Sequence, residues 1–136
     1  MPVPDQVLVD THALLWWQAG SDRLSPAARR AVEDAGEVLV SPISCWEVAM
    51  LVEKGRVELD RPIATWVNDL LRDQGPARVA PLTPSLAVAA GSLKDFHGDP
   101  ADRLIFATAR SGAYPLVTKD GRMRVAAVGR GVEIVW

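Results

Sequence analysis

One cysteine, Cys45, stands among the 136 residues, so no internal disulfide can form and a reducing compartment is expected. No apolar run approaches the ~20 residues that cross a bilayer. The opening MPVPDQVLVD has neither the basic segment nor the apolar stretch of an export signal. A cytoplasmic protein without membrane contact is the expectation. Excess positive charge is missing too. Lys and Arg number 15 against 17 Asp and Glu, a formal net of −2, so bulk charge alone does not draw the chain to nucleic acid. Repeats, low-complexity tracts and a linker are absent, and the length suits a single domain over residues 1–136.

What charge there is lies unevenly. Residues 1–70 hold 11 acids and 6 bases, a net of −5, and residues 71–136 hold 6 acids and 9 bases, a net of +3. The positive half is suited to phosphates and the acidic half to a basic partner, although any single arginine is first of all solvated surface. Hydrophobic residues make up 49% of the chain, enough for a real core.

Apolar periodicity divides the chain into alternating strands and helices. Val7-Leu8-Val9 reads as a strand buried on both faces, ending at Asp10. Thr11 then caps a helix to Gly20, and Ser25-Pro26 opens a second helix that closes at Gly36. Val38–Val40 is another buried strand. SPISCWEVAMLVEKG follows as a helix whose Ser44 and Glu47 have capping-box spacing, with Gly55 as its stop. A helix from Pro62 to about Gln74 carries one apolar stripe of Ile63, Trp66, Val67, Leu70 and Leu71. Arg78–Ala80 is a weak strand, and Thr83-Pro84 starts a helix to about Leu93. A helix after Asp99 runs to Gly112, Pro115–Thr118 is a strand, and Val132–Val135 is the last. The alternation specifies a three-layer α/β/α domain with a central, mostly parallel sheet.

Four acids fall on one edge of such a sheet. Asp10 and Asp120 lie at carboxyl ends of strands, and Glu47 and Asp102 in the first turns of helices leaving that edge. Each has a local explanation. Asp10 can cap a helix, Asp120-Gly121 can be a turn, and Ser44–Glu47 can be a capping box. Asp99-Pro100-Ala101-Asp102 reads as N-cap, proline at N1 and an acid at N3. Their convergence is what favours function. Crowded carboxylates repel unless they take up protons or a cation. Oxygen ligands with no Cys or His cluster suit Mg2+ or Mn2+, and Mg2+ keeps waters while leaving room for a phosphate.

VLVDTHALLWW, SPISCWEVAMLVEKG, DPADRLIFATAR and LVTKD, in that order, resemble the motif regions of PIN-domain ribonucleases, above all VapC toxins of toxin–antitoxin systems. The resemblance covers nearly the whole chain. It implies a PIN-like fold and an endoribonuclease that hydrolyses RNA phosphodiester bonds. It implies an acidic Mg2+ or Mn2+ site of Asp10, Glu47, Asp102 and Asp120, a VapB-like antitoxin seated in a groove, and a homodimer. Asp102, directly before RLIFATA, matches the catalytic position, which leaves Asp99 mainly as a cap. Thr11 and Thr118 sit where the family has hydroxyls near the site. Gly121-Arg122-Met123-Arg124 stands where many relatives carry a further Asp or Asn, so occupancy by one metal at rest fits.

Other readings compete. A receiver-type phosphoacceptor also gathers acids around Mg2+, but it needs adjacent acids after its first strand, where this chain has Asp10-Thr11-His12. A non-catalytic domain that binds RNA or protein is the second alternative. His12 and His97 are left outside the catalytic set, Arg103 is expected in a salt bridge, and Arg122 and Arg124 are expected to be solvated.

Overall fold

The computed structural model describes residues 5–136. Strand β1 (Gln6–Val9) leads into helices α1 (Thr11–Ala19) and α2 (Pro26–Asp34), then β2 (Glu37–Val40) and α3 (Pro42–Glu53). Helix α4 (Ile63–Leu71), β3 (Arg78–Val79), α5 (Pro84–Gly91) and α6 (Pro100–Gly112) follow. β4 (Leu116–Val117), α7 (Gly121–Ala127) and β5 (Ile134–Val135) complete the order. All four pairings are parallel, in the order β3-β2-β1-β4-β5, as the strand–helix alternation requires. Receiver-type folds instead place the second strand at the sheet edge, away from the third. Here β2 lies between β1 and β3, which removes that reading.

The VLV runs build both faces of the core through the two-residue strand period. Val7, Val9, Val38, Val40 and Val117 point to one side, where Leu14 of α1, Val32 of α2, Val48 of α3 and Trp66 and Leu70 of α4 meet them. Leu8, Leu39 and Leu116 point to the other, against Ile105, Phe106 and Ala109 of α6 and Met123 of α7. Each leucine buried there contributes roughly 1.5–3 kcal/mol.

Helix starts differ from the sequence expectation in three places. Asp10, not Thr11, caps α1, its Oδ1 accepting from the Ala13 amide at 2.8 Å. Ser41 caps α3, with Pro42 at N1, so the Ser44–Glu47 capping box does not form. A serine followed by proline satisfies the cap one turn earlier, which leaves Ser44 buried inside the helix and Glu47 in its second turn. The third difference is α7, capped by Asp120, where the sequence suggested only a turn. The expected caps Ser25, Thr83 and Asp99 are present. α6 ends on a left-handed Ala113 rather than on glycine. A Cβ at Gly112 would lie 2.2 Å from the Tyr114 ring, so any other residue there would make that ring swing aside.

The strand order reverses between β1 and β4, which themselves pair in parallel. From β1 the chain steps outward to β2 and β3, then returns to lay β4 on the opposite side of β1. The crevice beyond these two carboxyl ends is where open α/β sheets hold ligands. The Asp10 amide donates to the Val117 carbonyl at 3.1 Å, which locks the two strand ends together.

Candidate metal centre

Asp10, Glu47, Asp102 and Asp120 all line one cavity of about 570 Å3 at this crevice, with Asp99, Thr11, His12, Trp16, Arg23, Lys119 and Arg122. Each acid arrives from a different element. Asp10 follows β1, Glu47 lies on α3, Asp102 is in the first turn of α6 and Asp120 caps α7.

Hydroxyls fix the deeper pair. Asp10 is buried, and its second oxygen accepts from the Thr118 hydroxyl, itself fully buried at the end of β4. Thr118 Oγ1 in turn accepts from the Asp120 amide at 3.0 Å, coupling the first and fourth acids through one side chain. Thr11 Oγ1 lies 2.5 Å from Glu47 Oε1 and 3.0 Å from Ser44 Oγ. A hydroxyl has one proton to give, and a carboxylate is the stronger acceptor. Ser44, freed from capping, thus supports Thr11 beneath Glu47.

Asp102 meets His97 and Arg122. His97 Nε2 lies 2.7 Å from Asp102 Oδ2, with the imidazole stacked on Phe96 at 4.4 Å between ring centroids. The Arg122 guanidinium lies 3.2 Å from Asp120 Oδ2 and 3.5 Å from Asp102 Oδ2, so this arginine is paired across the site rather than merely solvated. Ligand atoms of His97, Asp102 and Asp120 all fall within 4.8 Å of one another, the group among the described residues best placed to share an ion. Sequence reasoning set His97 aside because a lone histidine usually packs. Its signal was the HGDPAD spacing, which returns His97 to Asp102 around the Asp99 cap.

Arg103, the neighbour of Asp102, makes no salt bridge among the described residues, contrary to expectation. Its guanidinium donates to the carbonyls of Ala90 (2.9 Å), Gly91 (3.3 Å), Leu93 (2.7 Å), Phe96 (3.1 Å) and His97 (3.3 Å). Those acceptors span the end of α5 and the loop into α6. One planar fork thus gathers the segment that delivers His97.

Burial, the largest influence, pushes the carboxyls of Asp10, Glu47 and Asp102 above their usual values of 3.8, 4.5 and 3.8, and neighbouring acids add to it. Burial also acts to raise Asp120, but hydrogen bonds from the Arg122 side chain and from the Arg122 and Met123 amides outweigh it. A raised carboxyl binds more protons folded than unfolded, so the folding free energy it contributes diminishes as pH rises through the folded-state pKa. These three carboxyls therefore favour the metal-free fold more at a pH below their folded-state values than above them. Excess Mg2+ or Mn2+ should reverse that trend, because a bound cation favours the ionised forms. Thermal melts of metal-free protein across the acidic range check this, and a stability that only rises with pH throughout that range would refute the sign.

Fold and site together define an α/β domain with an acidic cavity at its topological switch point. The PIN domain family matches residues 7–129, and the chain belongs to that family. It is 45% identical over 119 residues to Ribonuclease VapC22 of Mycobacterium tuberculosis (strain ATCC 25618 / H37Rv), covering 87% of this chain and 89% of that protein. Its fold is similar to a chain in the structure of FitAB bound to an IR36 DNA fragment (TM-score 0.62, 16% identity, 94% and 92% of the two chains). It is also similar to FitAcB from Neisseria gonorrhoeae (TM-score 0.54, 18% identity, 94% and 95%). The VapC-type resemblance read from the motifs agrees with these likenesses.

Proposed function

We propose that this single domain is a divalent-metal-dependent endoribonuclease, the toxin of a toxin–antitoxin pair acting in the cytoplasm. The observation that carries the reading is the meeting of Asp10, Glu47, Asp102 and Asp120 in one cavity. The 45% identity to a protein named a ribonuclease supports it.

The residues present fit a hard cation. Ligand atoms of His97, Asp102 and Asp120 lie within 4.8 Å of one another, Asp10 and Glu47 line the same cavity outside that group, and Arg122 already supplies one positive charge between Asp102 and Asp120. Asp10, Glu47, Asp102 and Asp120 are the catalytic acids and would hold Mg2+ or Mn2+. When bound, the ion supplies Lewis-acid polarisation of a phosphoryl oxygen and lowers the pKa of water. The chain's own residues do the positioning. Thr118 and Thr11 orient Asp10 and Glu47, His97 orients Asp102, and Arg122 is free to turn from the acids to a substrate phosphate once a cation replaces it. RNA incubated with the purified protein should be cut in Mg2+ and left intact in EDTA. Cutting that survives EDTA would sink the metal-dependent reading.

Two partners complete the proposal. A cleft of about 910 Å3 adjoins the acidic cavity across Trp16, lined by apolar Leu15, Leu51, Val57 and Trp66 and by Arg23 and Arg72. It suits an amphipathic segment of a VapB-like antitoxin, and an antitoxin that leaves cleavage unimpeded would count against this. α5 is apolar on all sides yet leaves Val88 69% exposed, and Trp46 of α3 is 57% exposed. The homodimer rests on the VapC-type resemblance, with these two side chains as candidates for its seam; a monomer by sedimentation at high concentration would exclude it.

A further inference from the structure

A second cleft, of about 580 Å3, opens between α5, α6 and the turn after α7, away from the acidic cavity. Ala89, Leu93 and Ala107 line it, and Lys94, Arg110 and Arg130 bring three cations with no acid among the lining residues. Among the described residues none of the three has a carboxylate within ion-pairing distance. Arg130 Nη2 donates to the Lys94 carbonyl at 2.5 Å, which ties the turn to the α5–α6 loop. Its Nη1 is buried and meets no acceptor among the described residues. A buried donor without an acceptor is uncommon in a folded protein, and the Arg130 guanidinium is held at the cleft by the Lys94 carbonyl with its charge uncompensated among the described residues.

The chemistry of a fitting ligand follows from these unpaired cations. A guanidinium fork, a second guanidinium and an ammonium around a small recess match a tetrahedral anion with several oxygens. Ser92 after α5 and Ser111 of α6 also line the cleft and add hydroxyls of the kind that meet phosphates in nucleic-acid complexes. Arg110 lies eight residues beyond Asp102 on one helix, about 12 Å at the α-helical rise. Three cations here belong to the half of the chain whose net charge is +3.

We propose that this cleft holds a backbone phosphate of an RNA strand that continues past the acidic cavity, so that long RNA is gripped at two places on α6. The inference rests on the ribonuclease reading and adds a substrate-length dependence to it. Phosphate contacts of this kind position the strand without reading its sequence.

The test measures binding of fluorescein-labelled single-stranded RNA of about 12 nucleotides and of a trinucleotide, by anisotropy in EDTA at several salt concentrations. Arg110→Gln with Arg130→Gln should weaken binding of the longer RNA about 25-fold near 0.1 M salt. Each lost phosphate contact should lower the salt slope by about 0.7. The trinucleotide, too short to reach both places, should bind the variant as it binds wild type, and Mn2+ affinity by calorimetry should not change. Lys94→Gln with Arg110→Gln, both exposed, gives the same readout if loss of Arg130 unfolds the turn. An unchanged salt slope in both double variants overturns the proposal and leaves the ribonuclease reading standing. Wild type that neither binds nor cuts any RNA overturns the reading and the proposal together. Variants that keep RNA affinity but lose an acidic protein segment would make the cleft a protein-docking site, which also overturns it.

Discussion

Asp102→Asn is expected to lower RNA cleavage on the order of 10³-fold while the fold survives. Asparagine keeps the shape of the side chain and removes the charge a divalent cation needs. Asp102 is half-buried and faces Asp99 and Asp120, so its ionised form is disfavoured before any ion binds, although the hydrogen bond from His97 works the other way. The N-cap of α6 belongs to Asp99, whose Oδ1 accepts from the residue 102 amide at 3.2 Å, and the variant leaves that bond intact. Without metal the variant should melt at or above the wild-type temperature, since a desolvated charge among like charges has gone. Cleavage assays with thermal melts check both statements. Full activity would remove Asp102 from the site, and an unfolded variant would make its role structural.

Arg103→Ala should have the largest effect on stability of any change outside the apolar core. Five carbonyl oxygens lose one donor group together. With hydrogen bonds to charged groups contributing about 1.5–3 kcal/mol and not adding fully, a loss of about 3 kcal/mol is expected. That corresponds to roughly 10 °C in Tm for a domain of this size. Arg103→Lys should recover only a small part, because three donors on one nitrogen cannot span the planar fork. The loop this arginine gathers ends at His97, so cleavage should fall by more than the unfolded fraction explains. A Tm within 2 °C of wild type, or full rescue by lysine, would show that the loop holds itself.

The sheet was legible because VLV, EVLV and PLVT combine short apolar runs with β-branched residues, which parallel strands buried on both faces require. The convergence of four acids was legible through topology, since carboxyl ends of strands and the helix starts beyond them share one edge. Local signals misled where two caps competed. Ser41-Pro42 and Ser44–Glu47 both mark a helix start, and proline at N1 favours the earlier. Glu47 therefore reaches the cavity from a second turn, held by Thr11, and not as half of a capping box. Helix α7 was hidden because Asp120-Gly121 is equally a turn signal, and its seven residues are too few for a periodic pattern. Arg122 joins the acids through side-chain geometry that spacing alone does not encode, whereas the HGDPAD spacing that brings His97 to Asp102 reads equally well as a packing histidine.

Calorimetric titration of Mn2+ into wild type and into Asp102→Asn and Asp120→Asn tests the central claim most directly. Saturable binding in wild type, weakened at least 10-fold by either substitution, is the predicted result. No heat from wild type, or unchanged affinity in both variants, would contradict a metal centre built from these acids.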